Sequence, residues 1–224
     1  MNAPRTGLLI TFEGIDGSGK STQATLLGAR LAQTGRTVVS LRDPGATEVA
    51  ERIRAILLDR RLTGLSPWAE LLLYEAARAQ MSEEMIQPAL AEGKLVVCDR
   101  YYDSTTAYQG YGRRLDLEQV RQANRIGSCG VVPDATFLID VELAEVGRRL
   151  AARSGDADRM EAASAEFHER VRQGYLQLAA QEPERIHVIP GDRPIELIHR
   201  HIWQLVMSRF QRHLHLQRPG EESV

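Results

Sequence analysis

A glycine-rich turn near the N-terminus constrains what this chain can fold into more than any other feature. The pattern G-x-x-x-x-G-K-[ST] is matched by the octet Gly14, Ile15, Asp16, Gly17, Ser18, Gly19, Lys20 and Ser21. An apolar run at residues 8–12 precedes it, and a segment with helical spacing of leucines at residues 22–34 follows. The sequence therefore predicts a strand, a phosphate-binding loop and a helix in succession.

The residue types of this loop suit the polyphosphate of a nucleotide. Its glycines allow backbone N–H groups to turn toward phosphate oxygens, and the following helix directs its positive end at the same anion. Lys20 is expected to reach the β- and γ-phosphates, and the Ser21 hydroxyl is expected to bind Mg²⁺. The pattern arises by chance in roughly one chain in a hundred. We predict an ATP site formed by the octet and Thr22.

Apolar runs alternate with helical patterns along the rest of the chain. Strands are predicted at residues 8–12, 37–41, 95–98, 135–139 and 186–189. Helices are predicted at 22–34, 48–60, 67–91 with a kink or restart at Pro88, 117–126, 143–153, 161–181 and 194–210. Because the strands are continuously apolar, they predict an α/β fold with a five-stranded parallel sheet covered by helices on both faces. One domain is expected over residues 1–210, with a flexible tail at 211–224.

The composition narrows the class of protein. The net charge of −2 gives no general attraction to nucleic acid or to a membrane surface. Cys98 and Cys129 are the two cysteines, they lack metal-ligand spacing, and Cys98 ends an apolar run as a core residue does. We see no signal peptide and no apolar run near the ~20 residues of a membrane span. These features predict a cytoplasmic protein without nucleic-acid or membrane partners.

The segments after the other strands carry charged side chains at the edge where parallel sheets bind ligands. Asp99 follows an apolar run and is expected to hold Mg²⁺ through water. Arg42 and Arg100 lie at two predicted strand ends, and their planar guanidinium groups suit phosphate. A structural salt bridge is the other interpretation of the Asp99–Arg100 pair. Two such arginines favour an acceptor that already carries a phosphate.

Motifs at residues 42–47, 73–80 and 99–110, together with the glycine-rich loop, closely resemble those of bacterial thymidylate kinases. The resemblance runs to Arg159 and weakens over the last fifty residues. It implies the nucleoside monophosphate kinase fold, transfer of a phosphoryl group from ATP to dTMP with Mg²⁺, and a homodimer formed through residues 48–60 and 67–91.

The resemblance also implies roles for single residues. Tyr74 and Arg78 share a helix face, where the aromatic ring would stack on thymine and the arginine would donate to a base carbonyl. Without the resemblance, an aromatic residue at this spacing is more often a core residue. Arg100 would contact the acceptor phosphate and Asp16 the 3′-hydroxyl. The base edge and the sugar would contact Ser104, Thr105, Gln109 and Tyr108.

Three positions differ from what the family pattern implies. Asp43 stands where the family commonly has Glu, and Ala46 stands where it commonly has Gly. Glu75 is unusual beside a base pocket, and a carboxylate facing solvent or an interface is its simplest interpretation.

A mobile lid is predicted at about residues 153–160. Gly17 stands where some relatives carry an arginine in the loop, so the lid is expected to supply a cation to the transferring phosphoryl group. Arg153 and Arg159 are the candidates, whereas for Arg148 and Arg149 a solvated position is an equal alternative. The predicted catalytic residues are thus Lys20, Asp16, Arg100, Arg153 and Arg159.

Two other functions stay open at this point. One is another small-molecule kinase with the same loop, such as a deoxynucleoside kinase. The other is a non-catalytic nucleotide-binding switch, although the guanine-binding pattern Asn-Lys-x-Asp is absent from the sequence.

Overall fold

A parallel sheet forms the centre of the molecule. The structure is a computed structural model and describes residues 6–151, 159–160 and 163–214. Within these residues the sheet has five strands in the order β2-β3-β1-β4-β5. Their bounds are β1 Leu8–Glu13, β2 Val38–Arg42, β3 Leu95–Asp99, β4 Ala135–Asp140 and β5 Ile186–Pro190. The predicted fold class is confirmed.

Both faces of the sheet are buried. Leu8, Ile10 and Phe12 of β1 belong to one apolar cluster, whereas Leu9 belongs to a second cluster on the opposite face. Cys98 is fully buried in that second cluster, as predicted. Successive residues of a strand point to opposite faces, so strands buried on both sides need continuous apolar runs.

Helices cover the sheet and connect its strands. The α-helices of the described residues are α1 Lys20–Ala32, α2 Glu48–Leu58, α3 Pro67–Met81, α4 Gln87–Ala91, α5 Tyr102–Thr105, α6 Leu117–Gly127, α7 Leu143–Ala151, α8 Ala165–Gln181 and α9 Ile195–Phe210. Side chains cap several of these helices at the N-terminus. For example, Asp116 accepts a hydrogen bond from the Gln119 N–H at 3.0 Å at the start of α6, as predicted.

The predicted helix at 67–91 restarts near Pro88. Helix α3 ends at Met81, a π-helical turn covers Ser82–Ile86, and α4 follows with Pro88 in its first turn. Proline has no N–H to donate to the carbonyl one turn earlier, so the regular hydrogen-bond ladder cannot continue through it.

Helical structure at residues 102–112 is a feature that the sequence did not indicate. The short α5 continues into a π-helical segment, Thr106–Gly112, which packs against α8. A Cβ at Gly112 would lie 2.6 Å from the Phe167 ring, so the close approach of α8 needs glycine there. This contact between distant segments leaves no periodic pattern in the local sequence.

Three predictions at the C-terminal half need correction or fall outside the described residues. Helix α8 begins at Ala165, not at 161, because the Ser164 hydroxyl caps it by accepting from the Phe167 N–H. The predicted lid lies outside the described residues except for Arg159 and Met160, and Arg153 lies outside them as well. The beginning of the predicted tail is packed, since Leu214 is buried in the core and His213 O accepts from Arg36 at 2.9 Å.

Among the described helices, we find none that is both long enough and apolar enough to cross a membrane.

Candidate active site

The glycine-rich loop follows β1 directly and ends in the first turn of α1. Gly14, Gly17 and Gly19 have positive φ angles of 140°, 78° and 95°, a region that side chains rarely allow. A Cβ at Gly14 would also lie 2.6 Å from the Ile139 carbonyl oxygen. Ile15 is buried in the core, so only its backbone remains available to a ligand.

Lys20 begins α1 and is nearly buried under the loop. Its Nζ lies 3.5 Å from Asp16 Oδ1. Burial lowers the pKa of Lys20, and Arg100 lowers it further, whereas the carboxylates of Asp16 and Asp99 raise it. A cation that is held this close to the loop is placed for a polyphosphate.

A cavity opens beside the loop at the carboxyl ends of β1, β2 and β3. It brings together eight of the predicted acceptor residues: Asp16, Tyr74, Arg78, Arg100, Ser104, Thr105, Tyr108 and Gln109. The lining also includes Asp43, Pro44, Arg54, Leu58 and Met160, which were not predicted as site residues. We refer to this space as the acceptor cavity.

Arg100 occupies the end of the cavity nearest the loop. Its Nη2 donates to Asp16 Oδ1 at 2.6 Å and to the Tyr108 hydroxyl at 3.1 Å. Burial raises the pKa of Asp16, but the positive charges of Arg100 and Lys20 outweigh burial and hold it well below its usual range. The backbone of Arg100 has a φ of 71°, which is unusual for a residue with a side chain and indicates local strain.

Glu13 lies beneath Arg100 and was missed by the sequence interpretation. It is fully buried and accepts hydrogen bonds from the Tyr101 N–H at 2.7 Å, the Ser104 hydroxyl at 2.6 Å and the Tyr175 hydroxyl at 2.8 Å. Burial and the nearby Asp103 carboxylate raise the pKa of Glu13 to about 7. A carboxylate at the end of an apolar strand was the available signal.

Arg78 forms the floor of the cavity. It donates to Asp43 at 2.5 Å, to Glu75 at 2.6 Å and to Thr105 at 2.7 Å. Glu75 is therefore buried and paired, and its interpretation as a solvent- or interface-facing carboxylate was wrong. Tyr74, one helical turn before Arg78, lines the same cavity, and burial raises its pKa.

Arg42 is not part of the acceptor cavity. Its side chain is half-exposed and pairs with Glu51 at 2.8 Å. Arg54 of α2 does line the cavity, and it donates to the Pro44 carbonyl at 2.9 Å. The loop at residues 43–47 turns the chain, so the strand-end arginine faces outward and the helix arginine faces inward.

Ser21 and Asp99 lie together on the other side of the loop. They line one groove with Arg42 and Glu51. Asp99 Oδ1 is buried without a hydrogen-bond partner, so it is available to a water molecule or an ion-bound water. The described residues contain no cluster of three His, Cys, Asp or Glu side chains that could hold a metal by themselves.

A second groove runs along the outside of the loop. Arg149 lines it and donates to the Ser18 carbonyl at 3.2 Å and the Gly191 carbonyl at 2.8 Å. Arg149 is therefore hydrogen-bonded to the loop and is not a solvated residue. Arg148, by contrast, is exposed and pairs with Glu145. We refer to this space as the donor groove.

Arg159 lies at the opposite end of the site from the loop. It donates to the Leu57 carbonyl at 2.8 Å and to Glu70 at 2.6 Å. Glu70 of α3 also accepts from Gln109 at 2.9 Å and from Arg113 at 3.1 Å. The structure therefore places Arg159 beside the predicted base end of the cavity, close to Met160.

Comparisons with known proteins agree on one family. The sequence model of the thymidylate kinase family matches residues 12–202. The chain is 51% identical to a thymidylate kinase of Pelotomaculum thermopropionicum over 193 residues, which cover 86% of this chain and 89% of that protein. It is 48% identical to a thymidylate kinase of Solidesulfovibrio magneticus over 205 residues, which cover 89% of this chain and 98% of the relative.

A crystal structure of thymidylate kinase from Ehrlichia chaffeensis has a similar fold. The TM-score is 0.72 at 36% sequence identity, and the match covers 89% of this chain and 98% of that chain. The loop, the paired cavities and these matches over most of the chain lead to the same assignment: the chain belongs to the thymidylate kinase family.

Proposed function

We propose that this protein transfers the γ-phosphoryl group of ATP to the phosphate of dTMP, giving ADP and dTDP. One observation supports this function most strongly. Asp16 belongs to the phosphate-binding loop and yet contacts Arg100 and Tyr108 of the acceptor cavity. The two binding regions therefore meet at one residue, so that donor and acceptor phosphates lie close enough for direct transfer.

Arg100 and Arg54 are the proposed ligands of the acceptor phosphate. Both line the acceptor cavity, and Arg100 is nearly buried there. Two guanidinium groups favour an acceptor that already carries a phosphate. This arrangement supports a nucleotide acceptor over a nucleoside, and Arg54 replaces Arg42 in this role.

The remaining cavity residues suit a pyrimidine deoxynucleotide. Tyr74 offers a ring for stacking on the base, and Arg78, Thr105 and Gln109 offer polar groups to its edge. We assign the 3′-hydroxyl to Asp16, whose carboxylate faces the cavity. Tyr108 packs beside it with its hydroxyl 3.0 Å from Asp16 Oδ2, and its bulk disfavours a 2′-hydroxyl.

The donor nucleotide is proposed to bind across the loop. Lys20 and the backbone N–H groups of Gly17, Ser18 and Gly19 would hold its phosphates. The donor groove would take the adenosine, with Arg149 as one wall. Arg149 already bonds two backbone carbonyls, so we assign it to shaping this groove and not to the reacting phosphoryl group.

Mg²⁺ fits the pair formed by Ser21 and Asp99. The Ser21 hydroxyl and the buried, unpartnered Asp99 Oδ1 line one groove, and carboxylate, hydroxyl and water oxygens are the ligands that this ion prefers. Since Ser21 and Asp99 would provide two ligands between them, the nucleotide and water would provide the rest of the coordination. When bound, the ion neutralises charge on the transferring phosphate.

The two lid arginines receive different roles. Arg153 is the proposed cation for the transition state. Arg159 is proposed to hold the end of the lid over the base, because its ion pair with Glu70 must break before it could reach the loop. Met160, which lines the cavity beside it, would then close the base end.

A homodimer is proposed through α2, α3 and α6. These helices pack side by side, and several of their apolar side chains are exposed: Val49, Ile56, Trp68, Leu72 and Ile126. A patch of this kind on adjacent helices favours association with another protein surface. We also propose a cytoplasmic location, and the net charge of −2 gives no general attraction to nucleic acid or to a membrane surface.

An acceptor screen tests the proposed reaction. ADP release is measured with ATP and Mg²⁺ against dTMP, dUMP, dCMP, dAMP, dGMP and thymidine. We expect the highest kcat/KM with dTMP and no turnover with thymidine. Preference for thymidine would indicate a nucleoside kinase, and tight ATP binding without any acceptor-dependent turnover would indicate a nucleotide-binding switch.

A further inference from the structure

Arg78 is the largest of the fully buried side chains, and each nitrogen of its guanidinium group has a partner. Nε donates to Asp43, Nη1 donates to Glu75, and Nη2 donates to Thr105. A guanidinium group has five N–H donors, so two remain after these three bonds. The side chain lines the acceptor cavity, where these two donors can meet a ligand.

Two acids from different elements meet on Arg78. Asp43 lies in the loop after β2, and Glu75 lies on helix α3. One buried guanidinium group is therefore held by carboxylates from two separate segments of the chain.

The packing of α3 against α6 makes room for Glu75. A Cβ added to Gly127 would lie 2.0 Å from Glu75 Oε2, so any other residue would displace this carboxylate. Glu75 Oε2 and Asp43 Oδ1 are both buried without a hydrogen-bond partner. The carboxylate of Glu75 is thus built into the interior and bonds to Arg78 through its other oxygen.

We propose that Glu75 is a positioning residue that fixes Arg78 for recognition of the acceptor base. If Asp43 were the one carboxylate on Arg78, the guanidinium group could turn about the hydrogen bond between Arg78 Nε and Asp43. Glu75 and Thr105 hold the other two nitrogens, so the guanidinium plane is set before the substrate arrives. The inference rests on the proposed binding of dTMP in this cavity.

The consequence concerns the choice of base. The free N–H groups of a fixed Arg78 suit the carbonyl oxygen at position 4 of thymine, whereas cytosine has an amino group there. A buried donor that meets another donor stays unpaired, and a site of this kind rejects the wrong ligand strongly. Loosening Arg78 is expected to weaken dTMP binding and to reduce the discrimination against dCMP.

Four variants test the proposal: Glu75→Gln, Glu75→Ala, Asp43→Glu combined with Glu75→Ala, and Glu84→Gln as the exposed control on the adjoining π-helical turn. The Kd for dTMP without ATP is measured by calorimetry, and kcat and KM are measured with dTMP, dCMP and ATP. Glu75→Ala is expected to raise the Kd and KM for dTMP about tenfold and to lower the dTMP-to-dCMP preference by a similar factor. The KM for ATP should change less than twofold.

The other variants separate positioning from a structural role. Glu75→Gln keeps an oxygen for Arg78 Nη1, so it should stay within about threefold of the wild type, and the longer acid in Asp43→Glu should restore most of the affinity lost in Glu75→Ala. Three results would overturn the proposal. They are normal dTMP affinity in Glu75→Ala, equal losses of affinity for dTMP and ATP in that variant, and a Glu75→Gln variant as poor as Glu75→Ala. If the double variant does not fold, the Gln–Ala comparison decides. Absence of dTMP turnover in the wild type would instead refute the proposed function.

Discussion

Buried charges surround the acceptor cavity, and each has a partner of opposite charge or several hydrogen bonds. Arg78 pairs with Asp43, and Arg113 pairs with Glu70. Removing an ion from water costs several kcal/mol unless partners compensate, so such groups persist where their fixed positions are useful. At the scale of single residues, the site is thus a set of oriented charges that exists before any ligand binds.

Arg100→Ala is expected to lower kcat/KM for dTMP by at least about a hundredfold and to leave ATP affinity nearly unchanged. Arg100 lies in the acceptor cavity and is the proposed ligand of the dTMP phosphate. Its contact with the phosphate-binding loop is one hydrogen-bonded ion pair with Asp16, so its removal should leave the ATP site largely intact. Steady-state kinetics and calorimetry with ATP measure the two effects. Arg200→Ala, on the exposed face of α9, is the control. A parallel loss of ATP affinity would contradict this role.

Glu13→Gln is expected to remove one source of pH-dependent stability. Because burial raises the pKa of Glu13 from 4.5 to about 7, the folded state binds more protons than the unfolded state between these pH values. The contribution of Glu13 to stability therefore falls as the pH rises from 4.5 to 7 and is constant above 7. The amide in Glu13→Gln does not titrate. Between pH 4.5 and 7 the free energy of unfolding of the variant should therefore rise by about 3 kcal/mol relative to that of the wild type.

Denaturant unfolding at several pH values between 4.5 and 8.5 measures this difference. Titrating groups distant from Glu13 are common to both proteins and cancel in the comparison. A difference in unfolding free energy that does not change with pH would show that Glu13 titrates normally.

At the scale of elements, helix α3 forms one wall of the site. Glu70, Tyr74 and Arg78 recur at every fourth position and therefore lie along one face of the helix. Glu70 accepts hydrogen bonds from Arg159 and Gln109. Tyr74 and Arg78 line the cavity. A single helix thus connects the end of the lid with the base end of the acceptor cavity.

The ring of Tyr74 is expected to matter more than its hydroxyl. Tyr74→Phe should keep the KM for dTMP within about twofold, because stacking needs the aromatic face. Tyr74→Ala should raise this KM at least about tenfold, with the KM for ATP as the internal control. A Phe variant as poor as the Ala variant would show that the hydroxyl is required.

The lid arginines are expected to separate by their kinetic effects. Replacing Arg153 and Arg159 together by Ala should slow the chemical step at least about a hundredfold, as the loss of a transition-state cation does. Arg159→Ala alone should chiefly raise the KM for dTMP, because its partner Glu70 lies at the base end. Single-turnover kinetics distinguish these effects, and the exposed Arg148→Ala is the control. An unchanged rate of the chemical step in the double variant would show that neither arginine provides the transition-state cation.

At the scale of the whole molecule, the parallel sheet gathers the site. Arg42 of β2 and Phe12 of β1 both lie beside Asp99 of β3 in the sheet register, so the segments that follow these strands emerge at one edge. The opposite surface of α3 carries Leu72, which is 62% exposed. The same helices therefore form the cavity on one side and the proposed dimer surface on the other.

Leu72→Glu is expected to convert a dimer into a monomer, because it places a charge at the centre of the apolar surface on α2, α3 and α6. Sedimentation velocity measures the mass in solution. Leu197→Glu is the matched control, since Leu197 is also exposed but lies on α9. A wild-type protein that sediments as a monomer would contradict the proposed dimer.

The fold class and the position of the phosphate-binding loop could be predicted from the amino-acid sequence. Continuous apolar runs indicate burial on both faces of a strand, and the glycines of residues 14–19 indicate backbone angles that other residues avoid. Both signals are local, so they can be recognised without knowing which distant segments meet. The cluster of Asp16, Tyr74, Arg78 and Arg100 was found because each belongs to a motif of contiguous residues.

Which charged groups face each other could not be predicted from the sequence and depends on how the elements pack. Arg42 and Arg54 differ little as sequence features, yet the turn at residues 43–47 directs one outward to Glu51 and the other into the cavity. Glu75 faces Arg78 because Gly127 of a separate helix leaves room for it. Side-chain pairing across elements depends on packing distances of a few ångströms, and spacing along the chain does not encode those distances.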